Sequence, residues 1–417
     1  MSAPVTRVLG AIAMVCVAVT PVAGQGAATA GTAADKAPGR TDDERGRLEL
    51  SLGDDLRVSL GGYLQVDGRW SSGPQSRAPD GMLLRRARLV FDAARPDGWH
   101  VRLQPDFGQG RVLIQDAFVG WRGATVAVRA GRFRPAFGTE RMQSSSTLLF
   151  PERSIVNTLM PSRSMGVQVT GERRQVNMAI GAFRTPISTD VQVIDTDGDV
   201  GARTGVGHDL LARVGWRMVH RRRYLDAQAG LLAGHEQGTA ETPAIPRVLS
   251  VGQLPIAAVR NDAGRVVIAD GARHRWSAGV VAGTARAMMG VEAAHGWQQV
   301  RLDAGTAGER TPLRTTALSW RSALLFGGTR TVSQEITPHT RHGALEVGVR
   351  AGHITMYGRD LKTLLADASA PRATTGGVAV SWIPTVSTRL SVAVDATGRG
   401  FAGHRERTAV MRWQQAF

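Results

Sequence analysis

RVSLGGYLQVDGRW, Arg57–Trp70, carries Val58, Leu60, Leu64, Val66 and Trp70 at even positions and Arg57, Ser59, Tyr63, Gln65, Asp67 and Arg69 at odd ones. Side chains of a β-strand point alternately to its two faces, so this stretch predicts a strand with one apolar and one polar face. Trp99, Val101, Leu103 and Phe107 alternate in the same way against His100, Arg102, Gln104 and Asp106. So do Leu390, Val392 and Val394 against Arg389, Ser391 and Asp395. Roughly sixteen or seventeen such segments of about ten residues recur, the length a tilted strand needs to cross a bilayer. An even number closes an antiparallel barrel. The expected fold is therefore all-β: a transmembrane antiparallel barrel of sixteen strands over residues 48–417, with a long loop, 134–164, that is either folded into the lumen or lies outside as a surface loop. Fifty glycines and few aromatics argue against a helical bundle.

A soluble β-sandwich would alternate as well, and two features favour the membrane. Ala409, Met411, Trp413 and Phe417 share one face of a strand that runs to Phe417, with Gln415 interrupting the apolar series. Connections are also uneven: the tight Arg95-Pro96-Asp97-Gly98 contrasts with polar excursions over Thr185–Gly207 and His235–Arg273. Short turns on one side and long loops on the other fit a transmembrane barrel. With three tyrosines, an aromatic girdle has to rest on Trp and Phe.

The first residues predict export. Arg7 precedes the apolar run Val8–Val19, which Pro21 and small residues follow, the pattern of a secretory signal peptide. Cleavage after about residue 24 is expected, with Ala28-Thr29-Ala30 as a second candidate, and 25–47 reads as a weakly ordered lead-in. The run is too short to span as a helix, which needs roughly 20 apolar residues. Cys16, the single cysteine, lies inside this segment, so the mature chain has no thiol chemistry.

The formal net charge is +16, and only Lys36 and Lys362 among the basic residues are lysine. Coding bias, lipopolysaccharide phosphates at the outer rim and a lumen that selects anions are all readings of this excess. Nucleic-acid binding, another reading of a basic chain, is disfavoured by the export signal and by the lack of a recognition motif. Arginine suits an anion passage because it stays charged and offers a planar fork of donors. The arginine cluster Arg85–Arg88 and the loop bearing Arg141, Ser144, Ser145 and Arg153 are the candidate anion-contacting groups. Arg86 and Arg88 alternate against Ala87, Leu89 and Phe91, which points both inward. Arg85 has the opposite parity; facing lipid it would cost about 2–4 kcal/mol at midplane. It therefore sits near a strand end, beside a bulge, or outside the site. A loop of roughly thirty residues exceeds ordinary connections and points to function.

The sequence also resembles a known family, the phosphate-selective porins O and P of Gram-negative outer membranes. The resemblance runs through GGYLQVD (Gly61–Asp67), LRRARLVFD (Leu84–Asp92), DGWHVRLQPDFG (Asp97–Gly108) and QDAFVGW (Gln115–Trp121). It continues through AGRFRPAFGTERMQSSS (Ala130–Ser146), PERS (Pro151–Ser154) and MGVQVTG (Met165–Gly171), with looser likeness in DTDGD (Asp195–Asp199) and VMRWQQAF (Val410–Phe417). It implies a sixteen-stranded barrel, a homotrimer, and a constriction lined by Arg85, Arg86, Arg141, Ser144, Ser145 and Arg153. Gln115 stands where the family can carry an aspartate, Arg88 where a tyrosine is known, and Tyr63 where an arginine occurs. These departures bear on phosphate specificity rather than on anion preference.

The expected function is passive diffusion of inorganic phosphate, polyphosphate or other small anions across the outer membrane of a Gram-negative bacterium. A general anion-preferring porin and a non-conducting barrel that anchors or binds a partner are the alternatives. The expected partners are the anion, outer-membrane lipid and lipopolysaccharide, with no nucleic acid. No cofactor, metal site or catalytic residue is expected. DTDGD lacks the remaining ligands of a calcium loop, the ten histidines show no metal pattern, and neither GxSxG nor a P-loop occurs.

Overall fold

Sixteen antiparallel strands close into one barrel in the computed structural model. It describes residues 47–417 apart from 73–79, 111, 185–205, 242, 246–247, 251–254, 258, 263–264, 304–306, 360, 367–368 and 400–403. The expected leader, the lead-in up to residue 46, and the DTDGD stretch lie outside the described residues. In chain order the barrel strands are β1 (Leu56–Ser72), β2 (Gly81–Ala94), β3 (Trp99–Asp106), β4 (Leu113–Arg122), β5 (Val126–Phe133), β6 (Ser164–Arg173), β7 (Val176–Arg184) and β8 (Val206–His220). They continue as β9 (Arg223–Gln237), β10 (Arg265–Thr284), β11 (Ala287–Asp303), β12 (Ala307–Phe326), β13 (Ala344–Tyr357), β14 (Arg372–Ile383), β15 (Thr388–Arg399) and β16 (His404–Ala416).

Each strand pairs with the next, and β16 returns to β1, from Tyr63 opposite Ala416 to Ser72 opposite Arg407. Closure gives every strand two neighbours, the condition for a sheet to survive in lipid. Phe417 helps seal the joint: its N–H donates to Gly62 O at 3.0 Å, and the Gly62 N–H donates to Phe417 O at 2.8 Å. Gln415, the polar break in the final apolar face, accepts from the Thr388 hydroxyl at 2.8 Å.

The alternation predicted from Arg57–Trp70 is the alternation of the wall. Tyr63, Gln65 and Asp67 are buried inside, whereas Trp70, Trp99, Val101, Val392, Val394 and Met411 are exposed outside. An apolar exterior over a polar interior is the pattern of a membrane barrel. No described helix is long and apolar enough to cross a membrane, so the crossing rests on the strands.

Two connections differ from expectation. His235–Gln237 end β9 and Arg265–Arg273 open β10, so the excursion there is only 238–264. At the end that holds the tight turns and Phe417, residues 327–343 are long. They contain a small hairpin, Gly328–Arg330 against Ile336–Pro338. Arg330 donates to Glu346 and Gln334 donates to the Tyr224 hydroxyl, both from buried positions, so this segment turns back into the barrel.

The segment between β5 and β6 supplies much of the interior. Its Phe137, Ile155, Val156, Leu159 and Met160 pack against Phe118, Phe133, Phe183, Leu211 and Ile354 on the inner wall. Glycines make room for it: a Cβ at Gly348 would come within 2.6 Å of Leu149, and one at Gly352 within 2.9 Å of Ile155.

Candidate functional site

The orientation of Arg85 is settled by a register shift. Gln65 lies opposite Arg86, while the next residue, Val66, lies opposite Leu84, leaving Arg85 as the extra residue of a bulge. Outward positions accordingly change parity along β2, from Met82 and Leu84 to Phe91, and Arg85 and Arg86 are both buried on the inner side. A bulge adds one residue to one strand and re-aims the side chains beyond it. Gln115 is the second such residue, because Gln104 faces Asp116 and Pro105 faces Ile114.

The segment between β5 and β6 is tied to opposite parts of this inner wall. Glu152 Oε1 accepts from Arg85 Nε at 2.8 Å, from Arg69 Nη2 at 2.5 Å and from Arg412 Nη2 at 3.2 Å. Arg412 also holds Asp67 at 2.6 and 2.8 Å, and Arg350 Nη1 donates to the Glu152 carbonyl at 2.6 Å. Burial alone would raise the Glu152 pKa, but the guanidiniums of Arg85, Arg69 and Arg412 outweigh it and hold the carboxyl well below the usual carboxylate range.

A second tether uses Glu140, on the short helix Thr139–Met142. Glu140 pairs with Arg321 at 3.0 Å and accepts from the Ser154 N–H, the Ser154 hydroxyl and the Asn157 amide at 2.8, 2.6 and 2.7 Å. Burial again pushes its pKa up, yet Arg321 and the Ser154 bonds leave it lowered. From β11, Glu292 accepts the backbone N–H of Thr139 at 2.6 Å and of Glu140 at 3.1 Å. These tethers reach β1, β2, β11, β12, β13 and β16.

The structure gathers some of the predicted residues and separates others. Arg86 Nη1 donates to Gln65 Oε1 at 2.6 Å; Arg88 donates to Asp106 at 2.6 Å, to the Tyr63 hydroxyl at 2.7 Å and to Ser145 Oγ at 3.0 Å. Ser145 Oγ is also 2.7 Å from the Tyr63 hydroxyl, so Arg86, Arg88 and Ser145 form one group through Gln65 and Tyr63. Arg141 Nε donates to Pro161 O at 3.2 Å, while Arg153 donates to the Glu140 carbonyl and, at 2.8 Å, to that of Gln143. Arg85 belongs to the Glu152 tether. Ser144 is exposed, its hydroxyl 2.8 Å from that of Ser146. Arg86 and Arg141 are both 0% exposed. The arginines named from the sequence therefore hold the segment in place.

Sequence reasoning missed the carboxylates that organise this group: Asp67, Asp106, Glu140 and Glu152. Glu152 stands inside the PERS string, and Asp67 ends GGYLQVD, but their partners lie up to 345 residues away. It also missed Arg122 and Arg129, on the inner face of β4 and β5. Arg129 faces Gly120 in register, and its guanidinium lies 5.6 Å from the Phe118 ring centroid. The His100 ring meets Phe118 edge-on at 5.7 Å, and Arg102 pairs with Asp92 at 2.7 Å. The Arg122 and Arg129 side chains make no hydrogen bond or ion pair with the described residues. Among the described residues, no group of three His, Cys, Asp or Glu is placed to hold a metal ion.

A closed sixteen-stranded wall, greasy outside and polar inside, with a long connection bound across its interior, defines a transmembrane barrel of the porin class. Residues 58–392 match the phosphate-selective porin O and P family, and the chain belongs to it: it is an outer-membrane porin of the Gram-negative type. No curated protein sequence matches the chain. Among solved structures it resembles an anion-selective porin from Comamonas acidovorans, at 13% identity and a TM-score of 0.54, covering 87% of this chain and 100% of that one. It also resembles OmpT of Vibrio cholerae in its trimer form, at 9% identity and 0.55, covering 87% and 100%. A third likeness is to Salmonella typhi OmpF, at 12% identity and 0.53, covering 89% and 100%. At these identities the likeness is one of fold.

Proposed function

We propose that the protein is a passive, non-enzymatic pore for small anions, with phosphate or polyphosphate as its preferred solute, and that it works as a homotrimer. The observation that carries this reading is an imbalance of charge on the inner wall. Around the main tether, five guanidiniums (Arg69, Arg85, Arg86, Arg88, Arg412) face three carboxylates (Asp67, Asp106, Glu152). The surplus positive potential favours anions and repels cations over a range beyond direct contact. Arg85, Arg86, Arg88, Arg141, Ser145 and Arg153 supply that field and fix the narrowing, and the exposed Ser144 offers a hydroxyl to a passing oxyanion. Conduction needs binding weak enough for release, and a field from clamped arginines meets that need. The family name and the anion-selective Comamonas porin support the same direction.

Burial of the same arginines favours a second reading, a barrel that anchors or binds and does not conduct. Planar-bilayer recording separates the two. The wild type is expected to carry a chloride current that added phosphate reduces, and replacing Arg86, Arg141 and Arg153 together by alanine should weaken both anion preference and block. Selectivity unchanged in that variant would retire the constriction proposal, and a silent barrel would favour the anchor.

A further inference from the structure

The outer face of the barrel carries a polar half-ring that the pore does not use. At the end with the long connections, five of the ten histidines point outward on neighbouring strands: His208, His235, His274, His295 and His353. Arg184, His208 and His235 are register partners across β7, β8 and β9. His274, Trp297, Arg314 and Tyr357 are partners across β10 to β13. Just inside them, His295 faces Thr316, to which its Nδ1 is bonded at 2.9 Å. His353 is bonded in turn to Thr374 and Thr355, at 2.9 and 2.8 Å. Arg372 lies opposite Thr355.

The rings form a scaffold. His208 stacks on His235 with centroids 6.2 Å apart, His274 on Trp297 at 5.2 Å and His295 on Trp276 at 6.1 Å. Arg184, Arg314 and Arg372 are exposed beside them, and none has a hydrogen bond or ion pair to a described residue. These rows hold no carboxylate. Directly below, toward the middle of the wall, the outward residues are apolar, among them Leu210, Leu231, Val280, Val291 and Leu318. The half-ring thus lies where hydrocarbon gives way to headgroups.

Its placement is one-sided. Strands β3 to β7 are 8–10 residues long, while β8 to β13 are 14–20. On the rest of the short wall, the outward residues at the same end are mostly apolar, such as Phe107, Ile114 and Met165; Arg132, opposite Met165, is turned back onto the Ile114 carbonyl at 2.9 Å. The opposite rim differs too: Trp99, Trp121, Trp216, Trp382 and Trp413 stand there, the indole girdle common to membrane barrels.

We propose that this half-ring docks the phosphate-bearing headgroups of anionic lipid in the outer leaflet. Long connections mark the extracellular side of such barrels. Exposed guanidiniums without protein counter-charges, flanked by imidazole and hydroxyl donors on an aromatic base, match a phosphate held at the membrane surface. The surface faces lipid, away from the lumen, so its role is independent of what the pore conducts.

The test uses full-length protein in detergent, titrated with bis-phosphorylated lipid A or with phosphatidylcholine and read by native mass spectrometry. A variant carrying Arg184→Gln, Arg314→Gln and Arg372→Gln is compared with wild type; equal single-channel conductance shows that it has folded. Wild type should retain lipid A in preference to phosphatidylcholine, and the variant should bind lipid A about ten-fold or more weakly. Equal retention of lipid A by wild type and variant, or no preference over phosphatidylcholine, would overturn the assignment. A variant that loses conductance is replaced by the three single substitutions, each held to the same criterion.

Discussion

Strands β1, β2 and β16 carry inward arginines, and so do β4 and β5, but the two stretches use them differently. On the first, Arg69, Arg85 and Arg412 converge on Glu152, and Arg88 is held by Asp106. On the second, Arg129 lies over the face of Phe118, and Arg122 has no bonded carboxylate among the described residues. The difference shows what decides a guanidinium's job. Where a carboxylate from the β5–β6 segment or a facing strand meets it, arginine becomes a clamp, buried and fixed. Where none does, its charge stays available to whatever passes.

The clamp gives the largest expected effect. Glu152→Gln removes the common acceptor of three guanidiniums, and breaking a buried ion pair from one side costs about 3–5 kcal/mol. Heat-induced unfolding should begin earlier and open-channel current should become noisier. Wild-type behaviour in both would place Glu152 outside the tether.

Acid probes the same carboxylate. Its pKa in the folded protein is depressed, by Arg85, Arg69 and Arg412 against the upward push of burial. Its contribution is therefore complete above the ordinary glutamate range and is lost as pH falls through the lowered folded value. The segment should stay clamped at neutral and mildly acidic pH and loosen only in strong acid. Current noise recorded against pH checks this, and Glu152→Gln should remove that dependence.

The unclamped side gives a smaller and different signature. Arg129→Gln removes a charge and its contact with the Phe118 ring but no protein hydrogen bond or ion pair, so stability should fall by only about 0.5–1 kcal/mol. The ratio of anion to cation permeability should fall, most clearly at low salt, where screening extends beyond about 10 Å. A large loss of stability with selectivity intact would reverse the roles assigned to the two walls.

Much of the barrel was legible because period two leaves few choices: Gln65 and Asp67 inside with Trp70 outside follows from Arg57–Trp70 alone. The bulge at Arg85 was only one of three options, since parity shows that something must break the strand and not what. Boundaries failed where polar residues continue a strand past the hydrocarbon, as in His235–Gln237 and Arg265–Arg273. The inward turn of residues 327–343 gave no signal, because Gln334 meets Tyr224 at 110 residues' separation. In the candidate site the arginines stood out as a cluster. Their carboxylate partners, Asp67 for Arg412 above all, come together only when the last strand closes on the first.

The most direct test of the central claim is the zero-current potential of a single reconstituted barrel under a potassium chloride gradient. An interior richer in guanidinium than in carboxylate predicts a potential of the sign set by chloride, shrinking in Arg129→Gln. A potential set by potassium, or a barrel that passes no current, would contradict it.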